Sequence, residues 1–143
     1  AVIVTHDIND AMEMSDKIIV IDEGKVIQKG PPGEIYNNPT SKKVALLFGK
    51  TNFIPLKMLP DSKNYFFDDE TKESIISIRP NQFIIYDKIM KYKGKIFIGK
   101  IKSLKRLASE FKLELQCNNL LLYVSLNAST ELLIGQELKV IIP

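Results

Sequence analysis

Val2-Ile3-Val4-Thr5-His6-Asp7-Ile8 decides how the chain is read. Three apolar β-formers run straight into Thr-His-Asp, and a helical pattern begins immediately after. Residues 1–5 therefore read as a buried strand that ends at a helix start, with the only histidine at the junction. In α/β sheets ligands collect at the carboxyl ends of strands, so chemistry is expected here. His6 alone leaves two readings open: a histidine that merely packs at the turn, or a polar group aimed at a phosphate or an attacking water.

Working outward, Asp7 is the expected N-cap, because its oxygens can accept the free amide hydrogens of a first turn. Asp10 and Glu13 add negative charge near the positive helix end. The spacing predicts a helix over 8–15, closed by Asp16. Residues 17–22 (KIIVID) read as a second buried-type strand. Glu23-Gly24 supplies a turn, since Gly takes positive φ without strain, and residues 25–29 return as a hairpin. Gly30-Pro31-Pro32-Gly33 breaks the ladder, Glu34-Ile35-Tyr36 forms a helical turn, and Thr40 or Ser41 caps a helix over 42–48. Gly49 stops it.

The character changes near Thr51. From there to Pro143 short β-type runs dominate: 64–67, 74–79, 82–86, 93–107, 110–116, 120–126 and 137–142. Turn signals separate them at Pro80-Asn81, Cys117-Asn118-Asn119 and Ile134-Gly135-Gln136. Short strands at this spacing predict a small barrel or sandwich. The fold class is α+β, mostly β, with a boundary at 49–53.

The totals bound the function classes. The chain has 143 residues and a formal net charge of +3, too little to imply nucleic acid by itself. Its cations are 18 Lys and 2 Arg, whereas phosphate and base readers lean on arginine forks. No apolar run approaches the ~18 residues of a membrane span. The single Cys117 has no second cysteine to pair with, which fits a reducing compartment. The chain starts inside an apolar strand without Met, so it reads as a piece of a longer protein.

The order of signals narrows His6. The run VTHDINDAMEMSDKIIVIDEGKVIQKGPPGEIYNNP resembles the C-terminal part of ABC-transporter ATP-binding subunits. The matching positions are Thr5-His6-Asp7, Asp10-Ala11, Asp16-Lys17, Gly24, Gly30-x-Pro32-x-Glu34-Ile35-Tyr36 and Pro39, continued by Val44-Ala45, Phe48-Gly49 and Asn52. One departure is Asn9-Asp10-Ala11, where the family more often has Glu before the Ala. It falls on a helix surface.

The resemblance implies that His6 is the switch histidine, which contacts the γ-phosphate and helps to position the attacking water. It also implies that residues 1–49 are the remnant of an ATPase domain with strand-helix-hairpin-helix order. Residues 53–143 resemble the TOBE domain, a small OB-like barrel found in importers of polyamines, iron, sulfate, molybdate and sugars. Its marks are Ile78-Arg79-Pro80 and Gly135-Gln136-Glu137-Leu138-Lys139-Val140.

The family's other working parts are not in this sequence. No G-x-x-x-x-G-K-[ST] loop cradles a phosphate. Gly49-Lys50-Thr51 mimics its end, but position 44 is Val and the triplet follows a helix instead of preceding one. No Ser-Gly-Gly signature and no catalytic Glu after a Walker B strand occur. No ATPase and no cofactor are expected of this segment alone. ATP and Mg²⁺ belong to the parent, which would pair with a second ATP-binding subunit and with transmembrane permease subunits. It would lie in the cytoplasm, peripheral on the inner face of the cell membrane, without inserting. The unpaired edge of strand 1–5 is a liability and predicts self-pairing as a homodimer.

Other constellations read more plainly. Residues 88–106 carry eight Lys/Arg and no acid. A phosphate or headgroup patch is one reading and a solvated strand face the other. Arg79, Lys100 and Lys102 are the candidate ligand or regulatory residues. Lys93 and Lys95 share one parity, Lys100 and Lys102 the other, which requires a bulge or bend near Gly99.

The alternative function is a stand-alone OB-like module binding nucleic acid or a small oxyanion or solute. Phe83, Tyr86, Tyr92, Phe97 and Phe111 would supply stacking surfaces for nucleic acid, yet Phe83, Phe97 and Phe111 are expected in the core, and nucleic acid is not an expected partner. Asp68-Asp69-Glu70 with Glu73 reads as a solvated acidic turn and not as a metal site. Cys117 has no partner for metal or nucleophilic work. The Asn127-Ala128-Ser129 sequon has no meaning in a cytosolic protein.

Overall fold

The computed structural model describes residues 2–87, 89, 93–127 and 131–143. Lys88, Lys91, Tyr92 and the Ala128-Ser129 part of the sequon lie outside the described residues, as does Ala1. The fold is α+β, mostly β. By compactness the chain divides into two units, Ala1–Ser77 and Ile78–Pro143.

In the first unit, α1 (Ile8–Met14) begins where expected. Asp7 Oδ1 accepts from the amides of Asn9 at 2.8 Å and Asp10 at 3.3 Å. β1 (Ile18–Asp22) and β2 (Lys25–Gly30) form the antiparallel hairpin. Its turn has Glu23 at φ 46° and Gly24 at φ 75°, the doubly left-handed turn whose twist matches paired strands. α2 (Pro32–Asn37) starts on a proline, which lacks the amide that a first helical position leaves unbonded. α3 (Lys42–Leu47) is capped by Ser41, whose Oγ accepts from Val44 N at 3.3 Å. Gly49 at φ 109° ends it. Ile18, Val20, Ile35, Val44 and Phe48 form one core, with Ile8, Ala11, Met12 and Ile27 packed at its rim.

Two expectations fail in this unit. Residues 2–5 are not a buried strand. Val2, Ile3 and Val4 are 95%, 62% and 96% exposed, and no described segment pairs with them. Apolar β-formers make a strand only where a ladder satisfies their backbone groups. Residues 17–22 are buried on one face instead of two. Ile18 and Val20 point inward while Ile19 and Ile21 remain exposed, because the helices cover only one side of a two-stranded sheet.

A strand that the sequence reading missed follows, β3 (Asn52–Pro55). With β4 (Phe66–Asp68) and β5 (Glu73–Ile78) it makes a three-stranded sheet in the order β3-β5-β4. The run expected at 64–67 is shifted and that at 74–79 nearly matched.

The second unit opens with a 3-10 turn over Pro80–Gln82. Gln82 N donates to the Arg79 carbonyl at 3.0 Å, and Arg79 N donates back to Gln82 Oε1 at 2.6 Å. This reciprocal pair shortens the expected strand at 82–86 to β6 (Ile84–Ile85). β7 (Lys95–Arg106), β8 (Glu110–Cys117), β9 (Leu120–Asn127) and β10 (Glu137–Ile142) complete an antiparallel sheet in the order β6-β10-β7-β8-β9. The sheet curls as an OB-like half-barrel. Its inner face is apolar by strict alternation: Phe111, Leu113 and Leu115 on β8, and Leu122, Val124 and Leu126 on β9. Phe83 and Phe97 meet edge to face with ring centres 6.2 Å apart. These two rings and Phe111 sit in the core, as expected.

β7 has its bulge, but later than expected. Ile101 pairs with Leu115 and Ser103 with Glu114, which leaves Lys102 as the extra residue. From Lys95 to Ile101 a single alternation holds. Phe97, Gly99 and Ile101 face inward, while Lys95 shares that parity and escapes burial at the strand end.

Candidate functional site

Thr5-His6-Asp7 is a built turn. Thr5 Oγ1 accepts from the Asp7 amide at 2.9 Å, while the Asp7 carboxylate holds the first amides of α1. His6 is therefore presented outward between two side chains that are both tied to backbone, and its own ring is exposed. A neutral imidazole offers one donor and one acceptor, which suits a group that bridges a phosphate oxygen and a water.

The triplet that imitates a phosphate loop is disposed differently. Gly49 terminates α3, and Thr51 is buried with its hydroxyl 2.7 Å from that of Ser77. The threonine hydroxyl of this triplet is thus engaged in the interior.

The candidate residues of the second unit have different settings. Arg79 is 1% exposed and belongs to the interior. Lys100 is exposed on the outer face of β7, opposite Glu137 of β10 and Gln116 of β8. Lys102 is exposed at the bulge. Further along, Lys105 faces Lys112 directly across the β7–β8 ladder. Lys112 is 3.4 Å from Glu110, whose carboxyl is held below its usual range chiefly by the Ser125 hydroxyl, at 2.5 Å. The cations are interleaved with acids from neighbouring strands, which makes this a mixed solvated face. Burial of Phe83, Phe97 and Phe111 also removes three of the five rings on which bases would stack; Tyr86 is half-buried and Tyr92 lies outside the described residues. Burial pushes the Cys117 thiol up, which keeps it protonated and unreactive.

The acidic turn holds the arrangement that local sequence concealed. Asp68 is not solvated: it is 5% exposed, with Lys42 Nζ 2.6 Å from its Oδ2. Thr71 donates to the same oxygen through its hydroxyl at 2.5 Å and its amide at 3.2 Å. Lys42 also reaches Glu70 at 3.2 Å and lies 5.7 Å from the centre of the Phe53 ring. The Lys42 ammonium and the Thr71 donors lower the Asp68 carboxyl from 3.8 to about 2, and Asp68 in turn raises Lys42. Lys42 and Asp68 are 26 residues apart with no periodic relation, so no sequence signal links them. Glu73 pairs separately with Lys57 at 2.7 Å.

A pH dependence follows. The folded-state pKa of Asp68 lies below its unfolded value, so its contribution is fully present above about pH 4 and is lost as pH falls toward about 2. The melting temperature followed by circular dichroism should decline through that window. Asp68→Asn should lower it at pH 7 by about 5 °C and flatten the acid decline. An unchanged decline in the variant would show that other carboxylates set it.

No family model matches this chain. The chain is 34% identical over 129 residues to the spermidine/putrescine import ATP-binding protein PotA of Clostridium acetobutylicum, an alignment covering 82% of this chain and 35% of that protein. It is 38% identical over 108 residues to the protein of the same name from Malacoplasma penetrans, covering 66% of this chain and 18% of that one. To the Fe(3+) ions import ATP-binding protein FbpC 1 of Pectobacterium atrosepticum it is 35% identical over 86 residues, 54% of this chain and 24% of the relative. The chain therefore spans only about a fifth to a third of the length of these relatives.

Proposed function

Homology to the ATP-binding subunits of ABC importers is the premise from which we propose that this chain is the C-terminal portion of such a subunit. Residues 1–49 are the end of its ATPase domain and carry the switch histidine, His6. Residues 53–143 are a TOBE-type domain. The complete subunit binds ATP and Mg²⁺, pairs with a second ATP-binding subunit, and works beneath transmembrane permease subunits on the cytoplasmic face of the membrane. Among the described residues no helix is long and apolar enough to cross a membrane.

The observation that carries this reading is the relative aligned over 129 residues. An alignment of that length must enter both halves of a 143-residue chain. Both proposed parts thus fall within one aligned stretch of an importer subunit, which supports this reading over a stand-alone nucleic-acid module. The cargo we propose is a polyamine, named in the two relatives that cover 66% and 82% of this chain. Ferric ion is the alternative, named in one that covers 54%.

The test is made on the full-length subunit. It should hydrolyse ATP, and with its permease partners it should support uptake of labelled spermidine. This chain alone should do neither. ATP-dependent uptake of Fe³⁺ with none of spermidine would move the cargo to the alternative. Tight, salt-sensitive binding of RNA by this chain, without ATPase in the full-length protein, would displace the whole reading.

A further inference from the structure

Where a remnant of one domain meets a second, residues 49–53 would ordinarily be taken as a linker and hinge. Inside the first compact unit, side-chain contacts tie the two sides of that junction together. Lys42, in the first turn of α3, binds the buried Asp68 at 2.6 Å and Glu70 at 3.2 Å on the β4–β5 turn. The Phe53 ring lies 5.7 Å below the same ammonium and meets Phe66 edge to face, with centres 6.3 Å apart. The Asn64 side-chain amide donates to Asn38 Oδ1 at 2.6 Å. Thr51, inside the junction, is fixed to Ser77 by a buried hydroxyl pair at 2.7 Å.

From this geometry we infer that the Lys42–Asp68 pair is a coupling strut that makes α3 and the β3-β5-β4 sheet one mechanical body, with no hinge at 49–53. A charge on a long flexible stem at the surface would contribute little. Here the carboxylate is withdrawn from water, shares its oxygen with two Thr71 donors, and meets the Lys42 ammonium at 2.6 Å. Removing one partner of a buried, hydrogen-bonded pair is felt at both ends. For an ATP-driven subunit, a consequence that rests on the function proposed above, displacement of α3 reaches β4 and β5 without being absorbed at the junction.

Native-state hydrogen exchange on the 143-residue chain tests this without reference to ATP. In the wild type, amides of α3 and of β4–β5 should open in a single event, with the same denaturant dependence. Lys42→Met and Asp68→Asn should each lower protection about tenfold in both segments. The double variant should lose little more than either single one, as expected for a directly interacting pair. Lys42→Arg keeps the charge and should retain coupled opening. Independent opening of the two segments in the wild type would overturn the strut. So would loosening of β4–β5 by Asp68→Asn with α3 unchanged, or additive losses in the double variant.

Discussion

Gly99→Ala should lower the melting temperature by about 10–15 °C. The reason is the close approach of β7 to β8. A Cβ at position 99 would lie 2.5 Å from the Gln116 carbonyl oxygen, 2.7 Å from Cys117 Sγ and 2.8 Å from the Gln116 carbonyl carbon. Two of the three are backbone atoms of a paired strand, so they cannot rotate away as the end of a flexible side chain would. Relief requires parting the ladder next to the Lys100–Gln116 and Ile101–Leu115 pairs, just before the bulge at Lys102. Thermal unfolding of the variant decides the matter. Gly33→Ala is the control, since a Cβ there meets nothing within 4 Å. It lies in α2, where alanine is the better helix former by up to about 1 kcal/mol, so it should raise stability. Similar melting temperatures for Gly99→Ala and the wild type would mean that β7 and β8 part at Gly99 at little cost.

Gly99 also shows what the sequence could and could not convey. Turn chemistry was legible: Glu23-Gly24, Ser41 and Gly49 act where their residue types require. Alternation placed most of the later strands, because each has one apolar face. What failed were features that depend on a partner distant in sequence. Val2-Ile3-Val4 has the composition of a buried strand but finds no ladder among the described residues. β3 was missed because Pro55 and the short Asn52-Phe53-Ile54 run give too little alternation. The buried charge on Asp68 was invisible because its neighbours Asp69 and Glu70 are strongly exposed and its cation is on another element. The bulge expected near Gly99 from the lysine parities is not there: Lys95 simply escapes burial at the strand end, alternation is unbroken to Ile101, and the bulge falls at Lys102. Around His6, the Asp7 cap was legible because it acts through local bonds to Asn9 and Asp10.

In the full-length subunit, His6→Ala should reduce ATP turnover about 100-fold, the cost of losing one preorganised contact to a developing charge. The argument starts from what the substitution leaves intact. His6 is exposed, so its removal creates no cavity, and the melting temperature should move by less than about 2 °C. Thr5 and Asp7 keep their own bonds, at 2.9 and 2.8 Å, so α1 and the turn persist. The loss must then fall on the reaction. Transfer of a phosphoryl group to water is governed by positioning and charge stabilisation, not by covalent work from the protein. A group lost from that step lowers kcat, whereas a group lost from ground-state binding raises KM. His6→Ala should therefore leave the KM for ATP within about threefold while kcat falls. His6→Gln, which keeps a donor and an acceptor on a side chain of similar reach, should recover part of the rate. Wild-type turnover in His6→Ala would refute the switch assignment. A tenfold rise in KM with kcat unchanged would instead make His6 a binding residue whose contact is the same before and during transfer.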